Sequence, residues 1–74
     1  MNLRFVGTPP DLQPDDQLDV KEQVLVGDTV AFERTGPTTV RLRKLGPFEQ
    51  SIYSGPKYLL EKSATPGALD IRAL

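Results

Sequence analysis

Arg41, Arg43 and Lys44 form the densest cationic group of the chain, and Tyr53 and Tyr58 follow downstream. On a strand, alternation puts Arg41 and Arg43 on one face. There, guanidinium groups could contact phosphates while Tyr53 or Tyr58 stacks on bases, as in RNA-binding barrels. The competing reading is a solvated outer face whose positive charges pair with Glu33 and other acids. A formal net charge of −1, with only three phenylalanines and two tyrosines, favours the second reading. Nucleic-acid binders usually carry a strongly basic balance.

Asp11, Asp15, Asp16 and Asp19 form the opposing acidic group. Carboxylate oxygens suit hard cations such as Ca²⁺ or Mg²⁺, but this spacing lacks the alternating pattern of a calcium loop. General acid–base work would require burial, and these residues lie in the least apolar part of the chain. A solvated acidic arm is expected, with no metal and no cofactor.

The rest of the inventory removes other chemistries. The 74 residues include no cysteine and no histidine, so disulfides, thiolate metal sites and Ser–His or Cys–His catalysis have no parts to draw on. Gly36, Gly46 and Gly55 are each followed by proline, which has no N–H to offer a phosphate. A chain this short also rarely encloses a cleft. No enzymatic activity and no small-molecule substrate are expected. No apolar run approaches the ~20 residues of a membrane span, and the start at Met1–Arg4 lacks the basic and apolar regions of a signal peptide. These features lead to the expectation of a cytoplasmic protein, or of one built into a particle assembled in the cytoplasm.

Charge is polarised along the chain. Residues 1–28 sum to −4 and residues 29–74 to +3. Such polarity suits internal ion pairing, or a partner with two patches of opposite sign.

Any site must be positioned by short elements, because proline and glycine cut the chain repeatedly. Gly27, Gly36, Gly46 and Gly55 recur at the spacing of turns between short strands. Three Gly-Pro dipeptides argue against long helices after residue 27. Strands are expected at 24–26, 29–34, 39–45, 48–53 and 57–61, with a further short one at 3–6. The segment 29–34 and the segment 39–45 form a hairpin in which 34 pairs with 40, 33 with 41 and 32 with 42. That register puts Phe32 beside Leu42 on one face and Glu33 beside Arg41 on the other. A slip of one residue would send the apolar sets to opposite faces. Residues 8–19, rich in proline and aspartate, read as a loop or arm too polar for a core. Residues 15–23 read as a loop or short turn leading into a strand. Phe48, Tyr53, Tyr58, Leu59 and Leu60 read as core and rim of the later strands.

At the other end, residues 63–68 read as a linker, and Leu69, Ile71 and Ala73 alternate with Asp70 and Arg72 as in a single edge strand. Two readings of 69–74 stand side by side. In one it is an attachment strand whose free backbone and apolar side chains add to a partner. In the other it closes the domain against residues 3–6.

The stretch from Val24 to Phe32 resembles the apolar-x-apolar-Gly-Asp-x-Val turn that recurs in GroES-like, KOW and other SH3-like small barrels. The resemblance implies an architecture: glycine at a tight turn into a strand, with Asp28 bonding its own downstream backbone. The expected fold is therefore all-β or nearly so, a small barrel or sandwich of about five short antiparallel strands in one domain, 1–74. Its core spans about 20–62, with residues 8–19 as an arm and 63–74 as linker plus C-terminal strand or arm. The expected function is a small protein-interaction module, an accessory or assembly component comparable to virion cement or connector proteins. Its candidate contact residues are Leu69, Ile71, Ala73, Arg41, Arg43 and Lys44, with protein partners and self-association both open. The alternatives are a regulator docking on a machine such as the transcription apparatus, or a nucleic-acid-binding barrel using Arg41, Arg43, Lys44 and Tyr53 or Tyr58.

Overall fold

The computed structural model describes residues 2–7 and 9–74. It contains six strands and one short helix: β1 (Asn2–Val6), β2 (Gln17–Asp19), β3 (Thr29–Arg34), β4 (Thr39–Lys44), α1 (Pro47–Ile52), β5 (Tyr58–Lys62) and β6 (Ala68–Ala73). All six strands belong to one sheet, in the order β1-β6-β5-β3-β4-β2. The sheet curls into a half-barrel and does not close. In place of the expected barrel or sandwich of about five antiparallel strands stands one open, curled sheet of six. The fold is nearly all-β, but β1 runs parallel to β6 and β2 parallel to β4.

The β3–β4 hairpin has the expected register, with Phe32 opposite Leu42, Glu33 opposite Arg41 and Arg34 opposite Val40. Through the ladders this parity spreads across the sheet. Phe32, Leu42, Tyr58, Leu60, Ile71, Leu3 and Leu18 share the concave face. On that face Val30, Phe32, Val40, Leu42, Tyr58, Leu60 and Ile71 form one buried cluster with Val24. Fully burying one such side chain contributes about 1.5–3 kcal/mol, and in so small a domain this cluster is the main source of stability. Phe32 sits at its centre, its ring centroid 4.8 Å from that of Tyr58 and 5.7 Å from that of Phe5.

Residues 24–26 do not form the expected strand. Leu25 to Asp28 make a turn in which Asp28 N–H donates to the Leu25 carbonyl at 3.1 Å. The Asp28 carboxylate accepts the Leu25 N–H at 2.8 Å, so it bonds upstream and not downstream. Gly27 adopts φ +94° at this turn, where an L side chain is strained. The resulting loop lays Val24 into the core and leaves Leu25 and Val26 exposed.

Residues 48–52 fall in α1 and not in a strand. Gly-Pro acts here as a helix start, because proline at the first helical position gives up an N–H that would have no partner there anyway. Gly46 precedes it in extended conformation, and the Glu49 carboxylate accepts the Gly46 N–H at 3.3 Å. No helix of the described residues is long and apolar enough to cross a membrane.

The two terminal readings are resolved by the ladders. β6 pairs with β1 from Asn2↔Ala68 to Val6↔Arg72, and with β5 from Tyr58↔Ala73 to Lys62↔Leu69. It is an interior strand, not an edge, and residues 68–73 are part of the domain. The edges of the sheet are β1 and β2.

Candidate functional site

The open side of the half-barrel lies between β1 and β2, and the chain joining these two edges crosses it. The first residue of the segment read as an arm, Thr8, lies outside the described residues. Residues 9–16 form a strap against the concave face, not a solvated arm. Its backbone is built from two turns, with Leu12 N–H donating to the Pro9 carbonyl at 3.5 Å and Asp16 N–H to the Gln13 carbonyl at 3.0 Å. The Asp16 carboxylate in turn accepts the Gln13 N–H at 2.8 Å.

Three side chains anchor the strap. Leu12 packs on the buried cluster, as Leu18 does from β2. The Tyr58 hydroxyl donates to the Asp11 carboxylate. Arg34 grips Asp16 with both terminal nitrogens, at 3.0 and 2.7 Å, the bidentate geometry that guanidinium and carboxylate share. The same guanidinium donates to the carbonyls of Gly36 and Pro37. Arg34 and the Gln13 N–H hold the Asp16 carboxyl below its ordinary value of 3.8, and the carboxylate raises Arg34 in return. Burial pushes the Tyr58 phenol well above its usual range, and the hydrogen bond to Asp11 adds to the shift. The Asp16 side chain keeps only 4 % of its exposure, so Asp16 is a structural acid, whereas Asp15 stays exposed.

Between strap and sheet lies a cavity of about 360 Å³. Phe5 from β1, Leu18 from β2 and Val40 from β4 line one side, and Pro9, Leu12 and Pro14 the other, with Gln13 and Asp16 at its rim. It is apolar, half open, and flanked by the two strands whose outer backbone edges have no partner in the sheet. At this volume it lies at the small end of ligand-binding cavities.

Of the cationic residues singled out by sequence, Arg41 and Arg43 share the convex face of β4 as expected, each beside an acid, and Lys44 is on the other face. Arg41 pairs with Asp19 at 3.4 Å, although Glu33 is the residue opposite it in the ladder. Arg43 pairs with Glu49 of α1. Lys44 lies on the concave side of β4, 3.5 Å from Asp28, and donates to the Gln23 carbonyl at 2.9 Å. Tyr58 is buried, at 2 % exposure, and offers no face to a base, whereas Tyr53 lines a shallow hollow with Arg43 and Glu49. Leu69 and Ile71 face the core, with Ala73 at the rim, and both backbone edges of their strand are engaged.

Sequence reasoning missed the exposed apolar pair Phe48 and Ile52, one helical turn apart on α1 and 74 % and 65 % exposed. The signal available was Pro47 at a helix start with Glu49 two residues on. It also missed Phe5 and Val6, which remain exposed on the β1 edge. Compared with protein-family models, with curated proteins and with solved structures, the chain matches none.

Proposed function

We propose that this chain is a small non-catalytic protein-interaction module, an accessory component that adds itself to a larger assembly through the open side of its half-barrel. The observation that carries this reading is the apolar cavity between two unpaired strand edges. An edge strand offers backbone N–H and C=O groups to another chain. Side chains of an added strand alternate, so one in two would face a cavity beside that edge. On β1, Phe5 is partly exposed on the cavity side and Val6 is exposed on the opposite face of the edge, and Phe48 and Ile52 of α1 offer a second patch. Leu69, Ile71 and Ala73 belong to β6, which has neighbours on both sides, so the docking edge in this reading is β1.

Affinity capture from the native cells or particles, followed by mass spectrometry, tests this reading with the full chain and a Val6→Lys variant. A charge on an edge strand opposes strand addition. The expected result is a protein retained by the native chain and lost from the variant. Equal retention by both, or a gel shift with nucleic acid that weakens steeply with salt, would contradict it.

A further inference from the structure

We propose that the gap between β1 and β2 recognises acidic, leucine-bearing extended segments of a partner protein, and that residues 9–16 occupy it as an internal competitor. This inference rests on the protein-interaction reading above and specifies its ligand.

The strap displays what the gap accepts. Moving along it, a carboxylate (Asp11) meets the Tyr58 hydroxyl, an apolar side chain (Leu12) meets the core, and a second carboxylate (Asp16) meets the Arg34 guanidinium. The gap thus presents a hydrogen-bond donor, an apolar floor and a cation in succession. A chain complementary to it carries acid, apolar residue and acid, and no basic residue occurs between Pro9 and Asp19. Removing Asp16 leaves the partly exposed Arg34 with solvent and the carbonyls of Gly36 and Pro37, a cation beside Asp16's place at the rim of the groove with no carboxylate partner. Charge complementarity therefore selects an acidic occupant.

Two features make the strap displaceable. The described backbone hydrogen bonds of residues 9–16 stay within the strap, so lifting it breaks side-chain anchors and no ladder. It also fills the gap incompletely, since about 360 Å³ remains beside Leu12. A partner segment with a bulkier apolar residue at the same place would occupy that volume and gain contacts that Leu12 does not make.

The experiment uses the full chain, an Asp16→Asn variant that loosens the strap while keeping Arg34 and Tyr58, and a fluorescein-labelled synthetic peptide spanning residues 9–19. Anisotropy titration at low salt is expected to show the variant binding the peptide about tenfold tighter than the native chain, the worth of one charged hydrogen bond. The gain should vanish for a peptide whose aspartates are replaced by asparagine, and for an Arg34→Gln change in the variant. Equal binding of acidic and amide peptides, or no binding by a folded variant, overturns the proposal. So does a dimer of the variant in sedimentation that excludes the peptide, which would make a second copy the occupant. Leu12→Ala provides a second way to loosen the strap, and if neither variant folds the strap is not displaceable and the proposal fails. Loss of a captured protein on Val6→Lys, with no peptide binding here, would overturn the groove and leave the interaction module standing.

Discussion

Phe32 shows how one side chain organises this fold. Its position opposite Leu42 was legible from parity alone, because only one register leaves the apolar residues of both strands on a common face. What parity could not show is that Tyr58 and Phe5 converge on the same ring from β5 and β1. Phe32→Ala is expected to cost about 3–5 kcal/mol. A domain of this size holds about 5 kcal/mol in all, so the variant should be largely unfolded by circular dichroism at 25 °C. A melt within a degree or two of the native chain would show that Phe32 is not central. The strap anchors give pH signatures. Asp16 is held below 3.8 in the folded state, so its contribution is complete above that value and is lost as pH falls through the folded one. The Leu12 methyl resonances should shift on acidification below about pH 4, before the Ile71 methyls do. Simultaneous shifts would mean the strap has no independent release. Tyr58 is displaced the other way, and its phenol should stay protonated through about pH 11, a unit above the ordinary value. Ring carbon chemical shifts would read this directly.

Among the elements, those bounded by strong local chemistry were legible and those defined by distant partners were not. The hairpin declared itself through β-branched and aromatic residues on both sides of a Gly-Pro turn. Helix α1 did not, since proline after glycine marks either a strand break or a first helical turn, and six residues show no clear period. Phe48, expected among the core and rim residues, is for the same reason the most exposed large apolar side chain among the described residues. The acidic strap reads as a solvated arm in sequence because its carboxylates find Arg34 and Tyr58 far along the chain. At the turn before β3, Gly27 holds φ +94° with open space around a would-be Cβ. Gly27→Ala therefore tests backbone strain free of steric clash, and should lower stability by about 1–2 kcal/mol in urea denaturation. An unchanged midpoint would mean the turn relaxes at no cost. For β6, truncation after Ser63 removes the partner of both β1 and β5. The truncated chain is expected to lose its dispersed NMR spectrum, and a native-like spectrum would show that 64–74 is dispensable.

At the scale of the whole molecule, the pairing of β1 with β6 brings the two ends of the sequence into one sheet, and β2 adds to β4 at the far side. Parallel pairings require long connections, so local turn signals carry no trace of them, and an antiparallel barrel was the natural expectation from turn spacing. The unclosed sheet is the consequence that matters for function, because it leaves two edges and an apolar hollow where a closed barrel would have neither. On the proposed function a partner docks on the open side. A photo-crosslinking phenylalanine analogue installed at position 5, where the native side chain lines the cavity from β1, and a photo-crosslinking residue separately at position 33, on the convex face of an interior strand, test this in the native cells. The chain labelled at 5 is expected to capture one discrete protein on irradiation while the chain labelled at 33 does not. Capture from position 33 with none from position 5 would contradict the open-side docking.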